Sequence, residues 1–220
     1  MAFFKNRSEA GKELAKHLMD YTNRPDVLVL GLPRGGVPVA FEVAKALNAP
    51  LDVFLVRKLG VPGHEELALG AIASGGVRVL NHDLLRELSI SENALDSLTS
   101  REQEELHRRE QAFRGDRPMP DVSGRTVILV DDGLATGASM YAAVVALREH
   151  HPDKIIVAVP TASPETYAAF EGQVDSVICA HTPSPFLGVG MWYDDFSQTS
   201  DEEVRRLLQM AAEEHFMDRS

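Results

Sequence analysis

Cysteine is almost absent from this chain. Cys179 is the only one in 220 residues, which excludes an intrachain disulfide framework and a thiolate zinc site. Long apolar runs are missing as well. None approaches the ~20 residues of a membrane span, and the N-terminal stretch MAFFKNRSEAGKELAKH lacks the apolar centre of a signal peptide. A cytoplasmic protein with no membrane partner is the expectation. Basic residues are outnumbered, 22 Lys and Arg against 33 Asp and Glu, for a net charge of −11. Such a balance does not neutralise a run of phosphates, so no nucleic-acid partner is expected. The eight histidines fall in no HExxH-like spacing. No internal repeat or low-complexity segment is present.

What is present fits an ordinary globular protein, with 44% hydrophobic and 25% charged residues. The length suits a single domain over 1–220, with an insertion at about 81–120 and a C-terminal loop and helix at about 181–220. Periodicity predicts a helix over 7–21, a strand from Val27 to Leu30, a helix over 37–48 and a second strand over 51–58. Further strands are predicted at 126–131, 154–160 and 174–179, separated by helices at 137–150 and about 163–171. Such alternation, with strands apolar on both faces, predicts an α/β fold: a doubly wound, mainly parallel sheet of about five strands covered by helices on both faces. Two segments break the alternation. Residues 67–80 read as a β-hairpin turning at Gly75-Gly76, and 91–114 as a charged helical insertion whose only strong apolar positions are Leu95, Leu98, Leu106 and Phe113. That helix is expected on the surface, available to a subunit contact. A last helix starts at Ser200, where Ser200 and Glu203 have capping-box spacing.

Ligands of such sheets bind beyond the carboxyl ends of the strands. The informative loops are those after Leu30, Arg57, Val130 and Ile178. The third is VILVDDGLATGAS, residues 127–139. A helix starting near Thr136 or Gly137 directs free backbone N–H groups and its positive dipole end into that loop. Thr136 and Ser139 add hydroxyls, while Gly133 and Gly137 permit close approach. This suits a phosphate monoester. Asp131 and Asp132, about one sugar's width away, can accept hydrogen bonds from vicinal hydroxyls, and a ribose 5-phosphate has both parts. After Leu30, the run GLPRGG offers Arg34 with the N–H groups of Gly35 and Gly36 as a compact anion nest.

The 127–139 run resembles, almost residue for residue, the 5-phosphoribosyl-1-pyrophosphate (PRPP) signature of the type I phosphoribosyltransferase family. The resemblance spans roughly residues 25–195. It implies transfer of phosphoribosyl from PRPP to a small nitrogenous base, with Mg2+ as cofactor and a homodimer as the assembly. PRPP would be bound by Arg34, Gly35, Gly36, Arg57, Lys58, Asp131, Asp132, Gly133, Leu134, Ala135, Thr136, Gly137, Ala138 and Ser139. Arg34, Lys58, Asp131 and Asp132 would carry the catalysis. In family members the loop equivalent to 31–36 holds the pyrophosphate, commonly through a cis peptide before its basic residue. The stretch VRKLGVPGHEELALG is similar to the flexible loop of adenine phosphoribosyltransferases. Gly60, Pro62 and Gly63 would then hinge a lid, with Glu65 or Glu66 reaching the base or leaving group. PFLGVGMWYDDF faintly resembles the base-binding stretch of hypoxanthine enzymes, making Phe186 a stacking platform, Val189 a backbone contact and Asp194 a partner of Mg2+. Ala135 stands where 6-oxopurine enzymes carry an acid, and so points away from that substrate class. Two alternatives compete. A PRPP-sensing regulator would need the nucleic-acid surface that the acidic pI disfavours. A sugar-phosphate hydrolase would need a nucleophile and base that the motifs do not supply.

Overall fold

The computed structural model describes residues 2–61 and 64–217. Its centre is a five-stranded parallel sheet in the order β2-β1-β6-β7-β8, formed by Leu51–Val53, Val27–Gly31, Thr126–Val130, Lys154–Thr161 and Ser176–His181. Numbered along the chain, these strands run 2-1-3-4-5, so the winding reverses direction between β1 and β6. That pair is the topological switch point, where connections leave toward opposite faces and open a crevice. Val27 to Gly31 lie opposite Thr126 to Val130 in continuous register.

Apolar side chains occur on both faces because both faces are covered. Val27, Val29, Ile128, Val130 and Ile156 join one buried cluster with residues of α1 (Arg7–Lys16) and α2 (Gly36–Leu47). The intervening Leu28, Leu30, Val127, Leu129 and Val157 join another with α5 (Ala138–Arg148) and α6 (Pro164–Phe170). Each fully buried aliphatic side chain of this kind contributes about 1.5–3 kcal/mol relative to exposure. The doubly wound α/β expectation holds.

A second sheet stands apart: β3 (Val56–Val61), β4 (His64–Ala73) and β5 (Val77–Leu80), all antiparallel. Residues 51–58 therefore do not form one strand. β2 ends at Val53, and buried Phe54 and Leu55 carry the chain out of the main sheet into β3. Arg57 is inside β3 rather than ahead of a ligand loop. The β4–β5 turn falls at Gly75-Gly76 as expected, with positive φ at both glycines. The N-terminal helix is shorter than its periodicity suggests. It stops at Lys16, a 3-10 turn follows at Met19–Tyr21, and Met19 is exposed.

After β5 come a short helix α3 (His82–Glu87) and the long α4 (Glu92–Arg114). α4 is charged but docked. Leu95, Leu106 and Phe113 are buried, the last two in a cluster shared with Leu59, Ile72 and the C-terminal helix α7 (Asp201–Met217). The Ser200 hydroxyl accepts the Glu203 amide at 3.1 Å, capping α7. Arg114, the last residue of α4, is buried with its Nε 2.9 Å from Asp52 Oδ1 and its Nη1 3.1 Å from Glu110 Oε1. It also donates to the Val53 carbonyl. Burial pushes the Asp52 carboxyl pKa up, and Arg114 opposes that shift. Arg114→Ala should destabilise the fold by about 3–5 kcal/mol in chemical denaturation, because it strands a buried carboxylate. A loss near that of an exposed ion pair, about 0–1 kcal/mol, would show that Arg114 does not anchor α4.

Candidate functional site

The loops after β1 and β6 meet at the switch point. The Leu32 amide donates to the Val130 carbonyl at 2.8 Å, extending β1 one residue past the sheet. The chain then turns through the cis Pro33–Arg34 peptide into α2. Gly35 and Gly36 are required here by proximity. A β-carbon on Gly35 would lie 2.1 Å from Asp132 Oδ2, and one on Gly36 would lie 2.6 Å from the Val130 carbonyl and 2.8 Å from Asp131 Cα. The Gly35–Gly36 backbone is thus laid directly on the acidic pair of the second loop, but the Gly36 amide, expected to face an anion, donates instead to the Leu32 carbonyl at 3.0 Å as the chain enters α2.

Asp131 and Asp132 are partly buried at the end of β6. The Asp132 amide donates to Asp131 Oδ1 at 2.8 Å. Burial raises the Asp131 carboxyl pKa well above its ordinary value, and the neighbouring Asp132 charge adds to the rise. Burial also raises Asp132, but Arg7 opposes that shift. Arg7 Nε lies 2.8 Å from Asp132 Oδ2, with the two side chains only 12% and 15% exposed. Nothing in the sequence marked Arg7, the first residue of α1. The Tyr193 hydroxyl donates to the Asp132 carbonyl at 2.6 Å. Burial and the nearby Asp132 charge raise the Tyr193 pKa, keeping it a protonated donor.

Past the acids, Gly133 is packed against Val189, whose Cγ1 would lie 2.6 Å from an added β-carbon. The expected base-site residue Val189 therefore borders the motif. Leu134 does not face a ligand: its side chain is buried in the core and its amide donates to the Thr161 carbonyl at 2.9 Å. The Ala135 carbonyl accepts the Thr166 hydroxyl at 2.5 Å. Gly137 caps α5 with φ of 72°, packed so closely on Phe170 that a β-carbon would approach its ring to 2.7 Å. By helix geometry the amides of Ala138, Ser139 and Met140 have no acceptor inside α5. The Thr136 hydroxyl makes only a long 3.5 Å contact with the Ala138 amide. Thr136, Ala138 and Ser139 are exposed. This end of α5 is the polarised, open N-terminus that the motif predicts.

Other expected residues are distributed differently. Arg34 is 37% exposed at its side chain and lies 3.5 Å from Asp201 at the start of α7. Arg57 and Lys58 point to opposite faces of β3, as adjacent strand residues must. Arg57 bonds Glu102 of α4 at 2.7 Å through Nε, whereas Lys58 is exposed. Pro62 and Gly63 of the expected lid, and the side chains of Glu65 and Glu66, lie outside the described residues. Phe186 sits 6.3 Å, centroid to centroid, from Trp192. Asp194 is exposed, its amide held by the Phe4 carbonyl at 2.9 Å. A separate groove between α4 and α7, lined by Phe113, Arg114, Arg117, Arg205 and Gln209, shares no residue with these loops. Its most buried cation, Arg114, is already neutralised by Asp52 and Glu110.

The sequence model described as "Phosphoribosyl transferase domain" matches residues 4–191. Proteins of two Mycobacterium tuberculosis strains, both provisionally named phosphoribosyl transferases, are 48% identical over 211 residues, 96% of this chain and 47% of each relative. The chain thus spans about half the length of these curated relatives. A crystal structure of a Thermus thermophilus protein, 42% identical, superposes with a TM-score of 0.85 over 96% of this chain and 99% of that one.

The buried carboxylates predict a pH signature. A carboxyl whose folded pKa is raised binds its proton more tightly when folded, so folding loses stability as pH rises from about 4 through the raised value. Asp131→Asn should therefore raise the melting temperature at pH 7, and the gain should shrink toward pH 4. An unchanged or lower melting temperature at pH 7 would contradict the desolvated state of Asp131.

Proposed function

The chain belongs to the phosphoribosyl transferase domain family, and from that membership we propose that it transfers phosphoribosyl from PRPP to a nitrogenous base and releases pyrophosphate. The observation that carries this reading is the juxtaposition at the switch point. Two adjacent carboxylates follow β6, the Gly35–Gly36 backbone abuts them, and α5 begins six residues after Asp132, at Ala138.

The roles follow from this arrangement. The 5-phosphate sits on the free amides of Ala138, Ser139 and Met140 with the Thr136 and Ser139 hydroxyls, where the helix end favours an anion. Asp131 and Asp132 accept the ribose hydroxyls. The Gly35 amide, with Arg34 and Lys58, receives the diphosphate, while the Gly36 amide stays on the Leu32 carbonyl. When C1 loses the diphosphate, the leaving oxygen keeps both electrons of the broken bond. A base nitrogen supplies the pair for the new bond, and its proton passes to solvent. The ribose develops positive charge on the way, and the Asp131–Asp132 pair, held in a desolvated pocket, is placed to stabilise it. Orientation of both reactants supplies much of the remaining acceleration. The base lies toward Val189 and Phe186.

Hard carboxylate oxygens are the donors Mg2+ prefers, and it is usually held by one or two carboxylates plus substrate phosphates. Among the described residues no group of three or more His, Cys, Asp or Glu forms a cage, which suits an ion carried mainly by PRPP. Asp131 and the exposed Asp194 are the carboxylates that would hold it. Bound there, the ion would offset the diphosphate charge.

Incubation with PRPP, Mg2+ and a panel of purine and pyrimidine bases, followed by pyrophosphate detection, tests the proposal. One base should give turnover, and Asp131→Ala combined with Asp132→Ala should abolish it, a loss of at least about 100-fold for groups facing developing charge. PRPP binding without turnover on any base would replace the enzyme reading with a PRPP-binding regulator. Absence of PRPP binding would end both.

A further inference from the structure

Asp132 is gripped from both ends of the chain, and the grip is built around one guanidinium. Arg7 Nε takes Asp132 Oδ2 at 2.8 Å. Its Nη1 donates to the Ser197 carbonyl at 2.7 Å. The guanidinium carbon lies 4.0 Å from the centroid of the Phe196 ring, a cation–π contact. Phe196 in turn lies 5.0 Å from Tyr193, the residue whose hydroxyl holds the Asp132 carbonyl. The backbone closes the same circuit. The Phe3 and Phe4 amides both donate to the Trp192 carbonyl at 3.0 Å, and the Asp194 and Asp195 amides donate to the Phe4 and Lys5 carbonyls at 2.9 Å.

Resting on the proposed function, we infer that Arg7 is a positioning residue for the ribose-binding carboxylate. By occupying Oδ2 it fixes the rotation of the Asp132 carboxyl and leaves Oδ1 as the oxygen that accepts a ribose hydroxyl. Three features support the assignment. The absence of a side chain at Gly35 makes room for the pair: a β-carbon there would lie 2.1 Å from Oδ2 and 3.3 Å from Arg7 Nε. The pair is largely shielded from water, so its charge-assisted hydrogen bond is stronger than one at the surface. Finally, Arg7 satisfies three partners with one planar fork, a task that lysine's point charge cannot reproduce. The N-terminal segment and residues 192–197 therefore belong to the ribose site.

Calorimetry with Mg2+ and two ligands, PRPP and pyrophosphate alone, tests this on the full chain. Arg7→Gln should weaken PRPP by about tenfold or more, the worth of a charged hydrogen bond, and leave pyrophosphate unchanged. Arg7→Lys should fall between the glutamine variant and the unmodified protein, and it carries the same test if Arg7→Gln fails to fold. Unchanged PRPP affinity in the folded variants would overturn the inference. Equal weakening of both ligands would overturn it too, by showing only a general structural role. If the unmodified protein binds no PRPP, the parent reading fails and takes this one with it. Failure of the inference alone requires PRPP binding that is insensitive to Arg7.

Discussion

The site depends on how closely the loop after β1 lies on the end of β6. Only glycine at positions 35 and 36 lets that backbone approach Asp131, Asp132 and the Val130 carbonyl at the distances observed. The parallel register of β1 and β6, Gly31 opposite Val130, brings the two loops level at the switch point. Winding the neighbouring connections toward opposite faces then keeps the crevice open. Fold and site share one cause here, since the strand pairing that buries the core also sets the two loops side by side.

That closeness has an electrostatic consequence. Two adjacent carboxylates enter a partly dry crevice, and desolvation disfavours their charged forms. The chain offsets this locally by bringing Arg7 to Asp132 and by fixing the loop backbone through Tyr193. Under the proposed function, positive charge developing on the ribose would offset the remaining disfavour. Function of this kind is commonly held at some expense to stability. Around the site, the second sheet is fastened by Arg57 to Glu102, and α4 by Arg114 to Asp52. Charged insertion residues that look solvated in the sequence therefore hold β3 and α4 in place.

Much of this was legible beforehand because local signals and tertiary outcome coincide. The DDGLATGAS run carries its own strand end, close-approach glycines and helix start, so its place at β6 and α5 follows from short-range chemistry. The glycine pair after Arg34 was equally readable. Other features are set by distant partners. The apolar run from Leu51 to Val56 has no internal signal to split it, yet Phe54 and Leu55 are drawn into the core and β3 leaves the main sheet. Arg57 and Lys58 part on β3 because Arg57 faces Glu102 of α4, a partner 45 positions away. Arg7 pairs with a residue 125 positions away, and a lone arginine at a helix start gives no hint of that. Leu134 lies inside the motif but serves the core, a distinction that motif matching does not make.

The central claim is that the end of β6 binds a phosphorylated ribose in one orientation. A crystal structure of the protein with ribose 5-phosphate tests it most directly. The account expects the phosphate on the amides at the start of α5 and two ribose hydroxyls on Asp131 and Asp132, with Arg7 still on Asp132 Oδ2. A ribose 5-phosphate bound elsewhere, such as the arginine-lined groove between α4 and α7, or bound with its hydroxyls away from both carboxylates, would contradict it.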